Sequence, residues 1–450
     1  MNKKLNTYNN LISSKAINLK GVIVAPSDKS ISHRSLLFAS LSKGISSINN
    51  LLNSDDIYRM IKVLKKLGVK IKENKEGVWF VSGVGLNGYD NPKSDLYCGN
   101  SGTLARILLG ALSGNNISVT IKGDKSLSKR PMDRVIIPLK NMGINFSNST
   151  NLPLTINGQN EITSIKYEIP VLSAQVKTAV LLAGLNARGT TQIIEPQTSR
   201  NHTENLLKYF GADIFYKDSS IGKNKVSIKG GKILRAQKID IPGDISSAAF
   251  AIVAASIITN SSIKIKNVGV NYYRIGILTA LKKMGVNLKL INKRMNEYNE
   301  PVSDIKVNYS KLNPINLEGT YSAKMIDEYP ILAIAAAATN GKSRFCGLSE
   351  LRYKESNRFN AIIDGLNLCG ISVENDGDDI LIKGNRNNIE GGIKIDCDYD
   401  HRVAMSFLVL GAISKKPIEV IGCDSIITSY PNFCDHMNYL GLNIKSKSSK

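Results

Sequence analysis

The sequence predicts an α/β protein of two domains, each made of three repeated α/β units. Three observations predict it. A polar segment running into a short apolar helix recurs six times, about 70 to 85 residues apart. Each recurrence leads to an amphipathic helix that stops at glycine and is followed by a β-like segment. At 450 residues the chain is also too long for one ordinary core.

The six starts are Ser27-Asp28-Lys29-Ser30, Asn100-Ser101-Gly102-Thr103, Ser173-Ala174-Gln175, Asp244-Ile245-Ser246-Ser247, Asp327-Glu328-Tyr329-Pro330 and Asp400-His401-Arg402. The six stops end at Gly68, Gly143, Gly211, Gly285, Gly370 and Gly441. In the first amphipathic helix Ile57, Ile61 and Leu64 keep helical spacing, and Gly68 suits a left-handed cap. Pro131 suits the first turn of the second. Phe359, Ile362, Ile363 and Leu366 repeat the pattern in the fifth. Ala248 to Ile258 and Ile331 to Ala338 are apolar nearly all round, which predicts helices buried on every face. Between the helices, Ile117 to Lys122 alternates apolar and polar residues, as a half-buried strand does. Three units precede about residue 240 and three follow, with the polar stretch Lys217 to Lys238 between them. The expected domains are residues 27–240, and residues 1–26 with 241–450.

Composition narrows the class. A hydrophobic fraction of 42% is that of a globular protein. No apolar run is long enough to span a membrane. Met1 to Lys20 has lysines but no continuous apolar stretch, so it does not read as a signal peptide. The six cysteines form no Cys-x-x-Cys pair, and four histidines give no zinc spacing. The simplest reading is a reduced, cytoplasmic, metal-free protein without a cofactor, monomeric by default. The net charge of +22 fits an anionic partner, but lysine, asparagine and isoleucine are abundant everywhere, including the loops. Nucleic acid is not indicated: no recognition-helix motif is present, and aromatics make up only 6% of the chain.

The chemistry gathers at the helix starts, where backbone N–H groups and the helix dipole favour anions. Lys29, Ser30 and Arg34 lie in the first turn or so of one helix. A cation, a hydroxyl and a guanidinium there suit a phosphate or carboxylate. Gly99 and Gly102 let a ligand approach the backbone around Asn100, with Arg106 one turn on. Arg130 lies in a basic loop beside a helix start. Ser173, Gln175 and Ser199-Arg200 can hydrogen-bond a polyhydroxy ligand. Asp327 sits at a buried helix start, and Lys354, Glu355, Arg358 and Arg402 follow. Each of these also reads as an ordinary cap or a solvated charge. Recurrence in both halves of the chain favours function.

The segments Ser-Asp-Lys-Ser-Ile-Ser-His-Arg, Gly-Asn-Ser-Gly-Thr, Ser-Leu-Ser-Lys-Arg-Pro-Met, Lys-Glu-Ser-Asn-Arg and Asp-His-Arg-x-Ala-Met together resemble the 5-enolpyruvylshikimate-3-phosphate synthase family, in order from about Gly21 to Pro431. The resemblance implies two domains of three βαβαββ-type units, with buried helices aiming their N-termini at an interdomain cleft that closes on the ligands. It implies that the strand before about Pro26 pairs with the second domain. It also implies transfer of the enolpyruvyl group of phosphoenolpyruvate to the 5-hydroxyl of shikimate 3-phosphate, with release of phosphate. Carried over by motif, Lys29, Ser30, Arg34, Ser173, Gln175, Ser199, Asp327 and Lys354 would hold shikimate 3-phosphate. Lys29, Asn100, Gly102, Arg130, Gln175, Arg358 and Arg402 would hold phosphoenolpyruvate. Asp327 would accept the hydroxyl proton, and Glu355 and Lys29 are candidates for proton delivery.

The chain departs from the family pattern at Ala174, where many members have serine, at Thr428, where some have lysine nearby, and at Asn357, where aspartate is usual. Glycine at position 102, where alanine gives tolerance, implies sensitivity to glyphosate. The related UDP-N-acetylglucosamine enolpyruvyl transferase carries a reactive cysteine in the loop before the arginine-proline pair; Asp124, Lys125 and Ser126 occupy that loop here.

Overall fold

The computed structural model of the chain describes residues 9–147, 150–217 and 223–447. Residues 1–8 of the N-terminal segment and 218–222 of the polar stretch named above lie outside the described residues. The chain forms two compact units. The N-terminal unit is Ser27–Ile241 with Met295–Glu300 added, and the C-terminal unit takes the chain up to Pro26, Pro242–Arg294, and Pro301 onward. The N-terminal unit runs to Ile241, and one later segment joins it. The tip Met295–Glu300 belongs with the N-terminal unit, where Glu300 accepts from His202 Nδ1 at 2.7 Å and Tyr298 donates to the Asp240 carbonyl.

Among the described residues each unit holds three four-stranded sheets and three buried helices, and the N-terminal unit adds a two-stranded pair, Ile162–Thr163 with Ala187–Arg188. The N-terminal unit buries helices Lys29–Leu41, Gly102–Leu112 and Ala174–Gly184. The C-terminal unit buries Ile245–Ile257, Tyr329–Ala337 and His401–Gly411. After each comes an amphipathic helix: Asp55–Lys66, Asp133–Asn141, His202–Tyr209, Gly276–Lys283, Arg358–Leu368 and Phe433–Leu440. The glycine at each stop has a positive φ, from 80° at Gly370 to 121° at Gly441. An L-residue would be strained there, so the stops are fixed by backbone chemistry.

Every sheet opens with a parallel pair at one edge, such as Leu96–Tyr97 on Ser118–Lys122. Two of these edge strands are exchanged. Lys20–Val24 leads into the first buried helix but pairs with Ser262–Gly269 of the C-terminal unit, Ile23 opposite Ile265. Lys238–Asp240 leads into the fourth buried helix but pairs with Lys43–Asn49 of the N-terminal unit, Ile239 opposite Ile48. Asn10–Ser14 completes the sixth sheet between Ile418–Ile421 and Asn443–Ser446. Each unit therefore depends on strands distant in sequence.

Helix Ile245–Ile257 is buried along its whole length. Its Ile, Phe and Val side chains each contribute about 1.5–3 kcal/mol of burial, and its alanines let neighbours approach. Two expectations are corrected. Pro131 does not enter a helix: the helix starts at Asp133, and the Pro131 carbonyl accepts from Arg106 Nη2 at 3.1 Å while the first helical amide, of Ile136, donates to the Met132 carbonyl. The polar stretch 217–238 is not a plain separator, since Asn224–Lys229 is a strand that buries Val226 and Ile228 between exposed lysines.

One close helix contact lies in the N-terminal unit. A Cβ on Gly110 would lie 2.0 Å from the Ala179 carbonyl oxygen. Backbone cannot move aside as a side-chain tip can. Gly110→Ala should lower the unfolding free energy by about 1–3 kcal/mol or more, read as a shifted denaturant midpoint at unchanged slope. An unshifted midpoint would contradict this packing.

Candidate active-site residues

In the N-terminal unit the Asp28 side chain caps the first buried helix, accepting from the Ile31 amide at 2.7 Å. Lys29 follows, its Nζ 2.6 Å from Asp56 Oδ2. Arg34 lies one turn further and is 1% exposed. Its guanidinium donates to Thr203 Oγ1 at 2.7 Å, Thr178 Oγ1 at 2.8 Å and Ser30 Oγ at 2.5 Å. Arg34 therefore fixes the Ser30 hydroxyl and ties this helix to two others.

The second start is built around Arg130, which is 7% exposed. Its Nη2 donates to Asn100 Oδ1 at 2.6 Å and Ser126 Oγ at 3.0 Å, while Asn100 Nδ2 donates to Asp124 Oδ2 at 2.8 Å. Arg106 Nη1 donates to Gln175 Oε1 at 3.0 Å, and Gln175 Nε2 to Thr103 Oγ1 at 3.0 Å. A Cβ on Gly102 would meet Arg106 Nη1 at 2.8 Å and Arg130 Nη1 at 3.3 Å. The glycine leaves room for two guanidiniums beside one helix N-terminus.

The third start rests on a buried charge cluster. Ser173 caps its helix by accepting from the Val176 amide at 3.3 Å. Lys177, one turn in, has no exposed side-chain surface and lies 3.0 Å from Glu195 Oε2 and 2.6 Å from Glu204 Oε1. Burial works to lower the Lys177 pKa, but the two carboxylates outweigh it and hold the ammonium charged. Burial pushes the Glu204 carboxyl up, against the pull of Lys177. Ser199 Oγ donates to Glu195 Oε1 at 2.5 Å, so this cluster sets the Ser199 rotamer.

In the C-terminal unit Arg358 is the hub and has no exposed surface. It donates to Asp400 Oδ2 at 2.7 Å, Asp327 Oδ1 at 3.0 Å and Glu355 Oε2 at 2.6 Å. Burial disfavours its charge, yet the three carboxylates raise its pKa further above the usual arginine range. Lys354 Nζ lies 3.3 Å from Asp327 Oδ1. Asp400 also caps helix His401–Gly411 through the Arg402 and Val403 amides. Arg402 Nη1 donates to the Asp327 carbonyl at 3.2 Å. Asp327 is therefore held at both side chain and main chain. It is not the helix cap, as the sequence suggested; Glu328 takes the cap position.

The structure thus collects Lys29, Ser30, Arg34, Asn100, Gly102, Arg130, Ser173, Gln175 and Ser199 at helix starts, or on partners of helix starts, of the N-terminal unit. It brings Asp327, Lys354, Glu355, Arg358 and Arg402 together in the other. The departures have local explanations. Asn357 caps helix Arg358–Leu368 by accepting from the Asn360 amide, which a neutral amide oxygen does as well as a carboxylate. Thr428 Oγ1 donates to the Ser425 carbonyl at 2.7 Å and lies 3.5 Å from His401 Nδ1. Ala174 offers no hydroxyl, but its carbonyl accepts from Thr178 Oγ1 at 2.6 Å. Sequence reasoning missed Lys177, Glu195, Glu204, Glu328 and Arg274. The one legible signal was Lys177, a lone charge in an apolar helix. Among the described residues no group of His, Cys, Asp and Glu is placed to hold a metal ion, and no helix is long and apolar enough to cross a membrane.

Repeated α/β units with buried helices opening on cations and carboxylates define a class: proteins of the enolpyruvyl transferase fold. A family model described as EPSP synthase (3-phosphoshikimate 1-carboxyvinyltransferase) matches residues 14–437. A 3-phosphoshikimate 1-carboxyvinyltransferase of Parvibaculum lavamentivorans is 42% identical over 432 residues, 96% of each chain. One of Coxiella burnetii is 42% identical over 430 residues, 95% of this chain and 96% of the relative. The solved structure of EPSP synthase from Acinetobacter baumannii superposes with a TM-score of 0.86 at 37% identity, covering 98% of this chain and all of that one. The enolpyruvyl transferase NikO from Streptomyces tendae, 16% identical with a TM-score of 0.78, shares the fold. The chain belongs to the EPSP synthase family.

His33 gives a pH test of the first helix start. It is fully buried, with Nδ1 3.1 Å from Met60 Sδ. Burial, then Lys29 and Arg34, hold its pKa well below 6.5. The folded chain therefore binds fewer protons here than the unfolded one, and this stability is present above pH 6.5 and lost as pH falls below it. Below pH 6.5 this residue should contribute a slope approaching about 1.4 kcal/mol per pH unit. Denaturant unfolding of His33→Gln should show a flatter pH dependence between about pH 7 and 5.5; a slope equal to that of the unaltered chain would contradict the assignment.

Proposed function

We infer that the chain carries out its family's reaction with the residues gathered at these helix starts: the enolpyruvyl group of phosphoenolpyruvate passes to the 5-hydroxyl of shikimate 3-phosphate, and phosphate leaves. The observation that carries the reading is the pairing of Asp327 with Lys354 and Arg358 beside Glu355 and Arg402. Two substrates bearing phosphates and carboxylates bring several negative charges together. A helix dipole alone contributes about 0.3–1 kcal/mol at an exposed site, so arginine and lysine groups must carry most of the binding.

In this reading Lys29, Ser30, Arg34, Ser173, Gln175, Ser199, Asp327 and Lys354 hold shikimate 3-phosphate. Lys29, Asn100, Gly102, Arg130, Gln175, Arg358 and Arg402 hold phosphoenolpyruvate. The substrate oxygen attacks C2 while its proton passes to Asp327. A proton from Glu355 or Lys29 reaches C3, giving a tetrahedral adduct. Loss of a C3 proton and departure of phosphate from C2 restore the double bond. Arg358 and Lys354 fix Asp327 for this exchange. Glu355 is held 2.6 Å from Arg358, which sets its reach. The proposed setting is a cytoplasmic monomer; six free thiols suit a reducing compartment.

Phosphate release by the purified chain should require both phosphoenolpyruvate and shikimate 3-phosphate. Asp327→Asn, which keeps the shape but not the proton acceptor, should lower kcat about 10²- to 10⁴-fold. Release with UDP-N-acetylglucosamine in place of shikimate 3-phosphate, or a variant with full kcat, would overturn the reading.

A further inference from the structure

One buried carboxylate of the C-terminal unit has no part in the mechanism above. Glu328 is 2% exposed and occupies the cap position of helix Tyr329–Ala337, yet its side chain accepts none of that helix's amides. It turns to other partners. Ser246, at the start of the fourth buried helix, donates to Glu328 Oε1. Arg274 Nη2 donates to Ser246 Oγ at 2.7 Å and lies 3.3 Å from Asp244 Oδ1. On the other side Arg402 Nη1 lies 3.6 Å from Glu328 Oε1 while donating to the Asp327 carbonyl. One chain of contacts thus joins the starts of all three buried helices of this unit, with Glu328 at its centre.

The cost of that arrangement argues for a use. Burial pushes the Glu328 carboxyl up, and the nearby Asp327 charge adds to this, while Arg274 and Arg402 pull it down. A neutral residue that capped its own helix would avoid the desolvation. What the carboxylate provides is a fixed edge for a long, flexible side chain. Arginine loses rotamer freedom when it grips a ligand, and holding it beforehand removes much of that loss. Among the described residues the Arg402 guanidinium makes one hydrogen bond, from Nη1 to the Asp327 carbonyl, so one edge of the fork is held.

We propose that Glu328 is a positioning residue for phosphoenolpyruvate: it pins one edge of the Arg402 guanidinium against the Asp327 main chain and leaves the other edge for an anionic group of the ligand. This rests on the assignment of Arg402 to phosphoenolpyruvate made above. It also links the two halves of the reaction. The arginine that grips the enolpyruvyl donor and the aspartate that takes the acceptor's proton share one support.

The test is steady-state phosphate release by the full chain and by Glu328→Gln, Arg402→Ala and the double variant. Glu328→Gln keeps the shape and removes the charge. It should raise KM for phosphoenolpyruvate about 3- to 100-fold, the range of coupling between charged groups in direct contact. KM for shikimate 3-phosphate should stay within about twofold, a split that general loosening of the unit would not give. In the Arg402→Ala background the same change should add less than about twofold, because its route is already gone. Glu328→Asp, which keeps the charge on a shorter stem, should recover part of the loss, and it serves against Arg402→Ala if the glutamine variant does not fold. An equal rise in both KM values, or a full effect in the Arg402→Ala background, overturns the proposal. A normal Glu328→Gln beside a crippled Arg402→Ala overturns it while sparing the Arg402 assignment. An Arg402→Ala variant with unaltered KM for phosphoenolpyruvate removes that assignment and this inference together.

Discussion

A helix that is apolar on every side can carry polarity only at its ends. That constraint organises both units. Six helices are buried among sheets and other helices, so their flanks are largely alanine, leucine, isoleucine and valine, and the buried charges on them, Arg34 and Lys177, are paired. Their N-terminal amides still need partners. Asp28, Ser101, Ser173, Asp244 and Asp400 supply them as side-chain caps. The same amides, with the helix dipole behind them, favour anions. In the proposed reading, Lys29, Arg130, Arg358 and Arg402 beside these ends turn a structural requirement into a means of holding phosphates and carboxylates.

The arrangement is costly in isolation. Arg34, Arg358 and Lys177 are almost wholly buried, and each meets oxygen atoms on two or more elements. Buried ion pairs roughly cancel their own desolvation, whereas losing one partner is severe. Such networks therefore argue less for stability than for fixed geometry. Arg358 holds Asp327, Glu355 and the cap of the sixth buried helix at once, so two groups proposed to move protons share one anchor. In the N-terminal unit Lys177 sets Ser199 through Glu195, and Arg34 sets Ser30.

Much of this was legible in the sequence because the constraint leaves a pattern. Ala248 to Ile258 has no polar face beyond Ser256, and the structure buries it completely. The six glycine stops follow from backbone geometry and fall where the sequence placed them. The polar starts, and most of the residues beside them, were visible for the same reason. What escaped was long-range pairing. The resemblance did imply that the strand before Pro26 pairs with the second domain, as Lys20–Val24 does, but nothing local shows that Lys238–Asp240 is exchanged in return or that Glu300 reaches His202. The strand Asn224–Lys229 was hidden by its lysines, although Val226 and Ile228 alternate beneath them. Supporting charges such as Glu195, Glu204 and Arg274 carry no motif of their own, since their meaning lies in partners far along the chain. Glu328 was in plain view but stood beside a more conspicuous aspartate.

The central claim is that these helix starts are an apparatus for anions. Calorimetric titration of shikimate 3-phosphate and of unphosphorylated shikimate into the full chain tests it most directly. The account predicts saturable binding of the phosphorylated ligand and binding of shikimate weaker by about 10-fold or more, since charge-assisted hydrogen bonds to the phosphate are lost. Equal affinity for the two ligands, in folded protein, would contradict it.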